Sequence, residues 1–175
     1  MEKIFIIEYK LIDGIPTLSD SQIKHLYEKL VEDGIVGNGF NSDIDPATYT
    51  SEDFLEYCTY NCKLFVVAER HQRIVGLAFV EKERRGVAVF HFLVFREYWG
   101  KSIDIGKYVV GQFLKKYETL VGFIPATNSR ALNFVRKLGF KFSGQIENGF
   151  FLWKDNKYVN TVVVYMTQES TDESN

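Results

Sequence analysis

Residue types and spacing that suggest chemistry first come together at Gly100-Lys101-Ser102, which follows an apolar run and opens a helical pattern. A glycine-bearing turn in that position aims unpaired backbone N–H groups and the positive end of the helix dipole at an anion, so a phosphate site is the reading that follows. A nucleoside-triphosphate loop does not fit, because that motif needs a glycine five residues before Gly100 and position 95 is Phe. A purely structural reading also accounts for the turn. Ser102 is a good N-cap, and Asp104 in the first helical turn meets the dipole favourably.

For proton transfer, His91 lies in the run Val87–Phe95, whereas His25 falls on a helical face and His71 in a turn. His91 is the histidine placed to act as a general base, and the bland alternative is a hydrogen-bonded residue beside the core. Glu81, Glu83 and Glu97 lie near strand ends, where a carboxylate base would stand, although acidic residues there usually face water. Phe90, Phe92, Phe95, Tyr98 and Trp99 would suit an acceptor pocket, but aromatics on a central strand and its exit are more often core.

The elements that must position these residues follow from periodicity. Lys3–Tyr9 reads as a strand, and Ser19 with Gln22 forms a capping box before a helix over 20–33. The stretch 34–50 is polar and broken by Gly34, Gly37, Gly39 and Pro46, and a short helix runs from Ser51 to about Tyr60. Leu64–Glu69, Ile74–Glu81 and Val87–Phe95 form an antiparallel meander. A helix over Ser102–Tyr117 leads to a strand at Leu120–Ile124, which implies a parallel crossover. A helix over Ser129–Leu138 stops at Gly139, and strands at Phe140–Ile146 and Tyr158–Met166 close the chain around a turn at Asp155-Asn156. The order is βααβββαβαββ.

The segment Pro125–Phe140 carries a second constellation. It resembles the C-terminal signature of the GNAT acyltransferase superfamily: Asn, Ala three on, Phe-Tyr three beyond that, and a closing Lys-x-Gly-Phe. Asn128, Ala131, Phe134, Lys137, Gly139 and Phe140 match, and Val135 stands where that signature has tyrosine. Glu97–Asp104 resembles the coenzyme A pyrophosphate loop of the same family, Trp/Arg-Gly-Lys-Gly-Ile-Gly/Ala. Trp99, Gly100, Lys101 and Ile103 fit it, whereas Ser102 and Asp104 replace small residues. The resemblance covers roughly 64–166. The run Val121–Leu132, with the Trp-Gly-Lys-Ser turn, is also similar to GNAT-like proteins encoded by tailed bacteriophages.

The resemblance implies an α+β, three-layer fold: a mixed, mostly antiparallel sheet of 6–7 strands with helices on both faces. It implies acetyl-CoA as cofactor, with the pantetheine arm between two splayed parallel strands, Val87–Phe95 and Leu120–Ile124. Phe92 and Val94 would then face that arm. The segment from Trp99 and Gly100 through Lys101, Ser102, Ile103 and Asp104 would cradle the pyrophosphate, and Asn128 would stand near the thioester. The implied activity is transfer of an acetyl group to an amine acceptor; His91 is the candidate base, and in place of the missing tyrosine Tyr98, a tyrosine elsewhere or bulk water would serve as acid. Asp104 opposes this, since a carboxylate about 4 Å from a phosphate costs on the order of 1 kcal/mol in water and about 4 at an intermediate dielectric. The departures at Ser102, Asp104 and Val135 keep a second reading open. In it, a GNAT fold without catalysis serves as a structural or virion component and meets protein partners through Phe150-Phe151-Leu152-Trp153.

Composition sets the outer bounds. The chain has 175 residues, which predicts one domain over 1–166 and a polar, disordered tail over 167–175. With 21 basic and 23 acidic residues the net charge is −2, so no global field draws nucleic acid or anionic lipid. Cys58 and Cys62 offer neither a disulfide framework nor enough ligands for a metal, which predicts a reduced, cytoplasmic chain, or a virion protein if the phage likeness holds. No export signal is visible, and no apolar run approaches the length of about 20 residues that a membrane span needs.

Overall fold

The computed structural model describes residues 3–36, 44–70 and 73–168. Its centre is a sheet whose strands are β1 (Phe5–Glu8), β4 (Lys63–Ala68), β5 (Ile74–Arg84), β6 (Val87–Val94), β7 (Thr119–Pro125), β9 (Lys157–Thr167) and β8 (Lys141–Leu152), in that spatial order. All neighbours pair antiparallel except β6 and β7. The helices are α1 (Asp20–Glu32), α2 (Ser51–Glu56), α3 (Ser102–Leu114) and α4 (Ser129–Leu138). Apart from a small hairpin, β2 (Leu11–Ile12) with β3 (Ile15–Pro16), the element order is the one periodicity predicts.

The inner strands are apolar on both sides because each face packs on a helical layer. On β4, Phe65 and Val67 join the cluster formed with α3, including Val109 and Phe113, while Leu64 and Val66 join the one formed with α1 and α2, including Leu26 and Phe54. On β6, Ala88, Phe90 and Val94 lie in the first cluster and Leu93 packs against the second. Helix α1 starts at the capping box foreseen for Ser19 and Gln22, and a second box, Thr50 with Asp53, starts α2. Helix α4 ends at Gly139, whose φ of 95° is left-handed.

Several expectations need correction. The β2–β3 hairpin turns on Asp13 and Gly14, both at positive φ, a turn signal that the sequence carried. The helix expected to run to Tyr60 stops at Glu56 and continues as a π-helical turn, Tyr57–Asn61. Strand β8 does not end at Ile146 but reaches Leu152, with register shifts at Phe142/Gly144 and Ile146/Phe150. That extension buries Phe150 and half-buries Phe151 and Leu152, so of the run offered as a contact surface only Trp153 is exposed. The binding-module reading loses its exposed apolar patch. From position 169 the acidic tail lies outside the described residues, as do 37–43 of the 34–50 stretch and His71.

Gly76 of β5 pairs with Val94 of β6, and a Cβ added there would lie 2.2 Å from the Leu93 carbonyl oxygen. Backbone cannot yield as a side chain can, so Gly76→Ala must push the strands apart at about 1–3 kcal/mol, the usual cost of overpacking. We expect its melting temperature to fall by roughly 4–10 °C. Gly111→Ala, in α3 with nothing near its Cβ, should instead raise it by about 1–3 °C.

Candidate active site

The parallel ladder between β6 and β7 pairs Val87 with Thr119, Ala88 with Leu120 and Val89 with Val121, then stops. Beyond it β6 continues with β5, and β7 with β9, so the two strands diverge while each keeps one partner. The gap opens into a cavity of about 950 Å³ lined by Phe92, Val94, Trp99, Gly100, Ser102, Ile103, Asn128, Phe134 and Lys137 among others. A smaller one of about 140 Å³, lined by His91, Phe92, Phe123, Asn128 and Val135, occupies the split itself. This backbone edge of β6 suits the addition of an extended, hydrogen-bonding chain.

One end of the cavity is built for negative charge. The indole of Trp99 donates from Nε1 to the Val94 carbonyl at 2.9 Å, fixing the ring beside the start of α3. The Arg130 guanidinium lies over that ring at 4.3 Å and Arg96 at 5.9 Å. Arg130, Asn133 and Lys137, spaced as one helical face of α4, all line the cavity. The N-terminus of α3 is less bare than the sequence implies. A 3₁₀ turn, Arg96–Lys101, runs straight into it, the Ser102 N–H donates to the Trp99 carbonyl, and Ser102 Oγ does so at 2.8 Å. Side-chain cations on α4 therefore supplement the helix dipole.

Groups that can move a proton lie at the split, where His91 lines the smaller cavity. Nε2 of His91 lies 3.1 Å from Oε2 of Glu81, their side chains 20% and 22% exposed. That nitrogen is sealed from solvent, and the Glu81 carboxylate is the charged group it faces. The Tyr57 hydroxyl donates to Oε1 of Glu81. Burial alone would raise the Glu81 carboxyl, but His91, Tyr57 and Lys82 outweigh it and hold it below the ordinary carboxylate range. Burial and Glu81 together push the Tyr57 phenol up, which keeps it a donor.

Of the residues singled out in the sequence, Phe92, Val94, Trp99, Gly100, Ser102, Ile103 and Asn128 meet in the larger cavity, and His91 stands in the split. Asn128 also caps α4, its Oδ1 accepting from the Ala131 N–H at 3.1 Å. Three expected residues fall elsewhere. Tyr98 lines neither cavity; it packs between the two core clusters with its hydroxyl 3.4 Å from Glu69, which Arg73 holds at 2.8 Å. Lys101 and Asp104 are exposed and line neither cavity, because the turn of α3 carries them to the outer face. Asp33, unforeseen in the sequence, joins the wall at the end of α1, where its Oδ2 accepts the Arg96 N–H at 2.7 Å.

The model of the Acetyltransferase (GNAT) family matches residues 25–140. The chain belongs to the GNAT acetyltransferase family. Among solved structures it is similar to spermidine N-acetyltransferase from Vibrio cholerae in complex with CoA and spermine, with a TM-score of 0.73 at 13% identity over 95% of this chain and 96% of that one. It is similar also to RimL, a ribosomal-protein α-N-acetyltransferase in complex with coenzyme A, with a TM-score of 0.71 at 10% identity over 87% and 92%. No curated protein matches it. At such identities the likeness is one of fold.

Coenzyme A fits the site of this GNAT chain on observations of the structure itself. The larger cavity has the volume of small-molecule sites. Its wall at Gly100 is open, with nothing within 4 Å of an added Cβ. Its cations lie on one face of α4, and an unpaired strand edge borders the split. The sequence signal that could have found Arg130 is its i,i+7 spacing to Lys137, the motif lysine.

Two outcomes test this geometry. Since Asp104 faces away from the cavity, Asp104→Asn should leave coenzyme A affinity within about twofold in a calorimetric titration, although salt-free phosphate contact would predict a tenfold or greater gain. The lowered Glu81 contributes stability that is full above its unfolded-state pKa and is lost as pH falls through the lower folded value. The gap in urea midpoint between wild type and Glu81→Gln should therefore be wider at pH 7 than at pH 3; an equal gap would refute the pairing.

Proposed function

We propose that the protein transfers the acetyl group of acetyl-CoA to an amine by direct attack in a ternary complex. The observation that carries this reading is the continuity of three features: the split between β6 and β7, the cationic cavity at its mouth, and a histidine–carboxylate pair at its inner end. When bound, acetyl-CoA supplies a thioester carbonyl for the amine to attack and a thiolate leaving group.

The residues of this chain then have separable tasks. The edge of β6 at Phe92 and Val94, where the Val94 carbonyl already accepts from Trp99, holds the pantetheine arm by strand addition, which orients it without side-chain chemistry. The Gly100 turn, Arg130 and Lys137 take the phosphates. His91 accepts the proton that an attacking amine must lose, an ammonium pKa being near 10. Val135, lining the split where the family signature has tyrosine, cannot protonate the leaving thiolate, and Tyr98 is too remote. No tyrosine lines either cavity among the described residues, so water entering the open cavity delivers that proton. The acceptor is an amine, as for the spermidine and ribosomal-protein acetyltransferases of similar fold.

Calorimetry with acetyl-CoA and CoA should give micromolar dissociation constants. Gly100→Val, which projects methyls into open space in the cavity wall, should weaken both at least tenfold at an unchanged melting temperature. In a CoA-release assay across polyamines and N-terminal peptides, His91→Gln should lower kcat/KM by about 10²–10⁴ while binding acetyl-CoA normally. A folded protein that binds neither ligand at millimolar concentration would overturn the reading in favour of a non-catalytic GNAT fold.

A further inference from the structure

Two backbone irregularities converge on His91. In β5 the register shifts between Val80, opposite Phe90, and Lys82, opposite Val89, so Glu81 is an extra residue with no partner on β6. Such a bulge re-aims a side chain, and here the carboxylate is aimed at His91 on the neighbouring strand. On the covering layer, α2 gives way to the π-helical turn Tyr57–Asn61, whose first residue sends its hydroxyl to the other oxygen of Glu81. The Tyr57 ring packs against Phe79 at 6.2 Å, and Phe79 is the residue directly opposite His91. Three elements thus fix one imidazole.

Stability does not demand this arrangement. Largely buried carboxylates and imidazoles lose hydration that their pairing repays only in part, and apolar residues of similar volume would fill the space at less cost. We propose that Glu81 and Tyr57 are positioning residues for His91: Glu81 holds the ring with its protonated Nε2 toward the carboxylate, and Tyr57 holds Glu81. This rests on the reading of His91 as the base.

Its chemistry is balanced. Nε2 is sealed and His91 lines the smaller cavity, so with the first proton assigned to Nε2 the nitrogen able to accept a second is Nδ1. One proton of the amine nitrogen binds the Nδ1 lone pair, the amine lone pair so freed forms the new C–N bond, the C–S pair departs with sulfur, and the second proton shed by the amine nitrogen passes through water to that sulfur. The resulting imidazolium faces a carboxylate that is already ionised, so the Glu81–His91 attraction is greatest when the proton has been transferred. Tyr57, by donating to Oε1, keeps that carboxylate from turning away.

The test uses the full chain labelled with ¹⁵N-histidine, together with Glu81→Leu, Tyr57→Phe and His91→Gln. Tyr57→Phe removes one oxygen and keeps the ring, so it stays folded even if Glu81→Leu does not. We expect the wild-type His91 ring to show the Nε2–H tautomer, and both positioning variants to shift toward a mixture. We expect Glu81→Leu to lose at least about tenfold in kcat and Tyr57→Phe about three- to tenfold, with the dissociation constant for acetyl-CoA unchanged in both. Loss of activity in His91→Gln, with tautomer and kcat unmoved in both other variants, overturns the positioning role alone. Full activity in His91→Gln overturns the base assignment beneath it, whatever the spectra show.

Discussion

The end of the β6–β7 ladder after Val89 and Val121 is the constraint on which the rest depends. Parallel strands normally continue side by side, and these two part because each is held more firmly by its other neighbour. Strand β6 follows β5 through eight registered pairs, drawn close at Gly76, and β7 follows β9 through seven. The unpaired backbone then lines a space walled by Phe92 and Phe134, with ring centroids 6.1 Å apart. A ligand that completes hydrogen bonds along β6 supplies what the sheet withholds.

The fold was largely legible, and for physical reasons. Alternating faces on β4 and β6, the Ser19–Gln22 box and the Gly139 stop are local signals whose tertiary context agrees with them, so the order of elements follows from period alone. The failures lie where local signals compete. Thr59 and Tyr60 favour a helix poorly, and the chain there relaxes into a wider π turn. Gly149 interrupts a strand pattern, yet β8 passes through it by shifting register, and this buries Phe150.

The site was legible in its address more than in its chemistry. Trp99, Gly100, Ile103 and Asn128 reach the cavity because a motif encodes a turn and a helix start. Tyr98 and Asp104 share that motif but point elsewhere, since helical geometry scatters successive side chains around the axis and only the structure shows which arc faces inward. Glu81 and Tyr57 could not be joined to His91 from sequence. Their meeting needs a bulge in one strand and a π turn in another layer, and neither has a pattern to read. Arg130 belongs between these cases, its stack on Trp99 being a contact across elements that the signature hints at only through spacing.

The rims of the sheet complete the picture. Strand β1 has four residues, too short to template much, and β8 at the opposite rim is broken twice by register shifts. Bulged or abbreviated edges are how sheet proteins refuse uninvited strands from other chains. This molecule turns strand addition away at its borders and keeps its straight, unpaired backbone in the interior, behind a wall of arginine and indole. The same hydrogen-bonding edge that would be an aggregation hazard on the outside thereby faces an internal cavity instead of other chains.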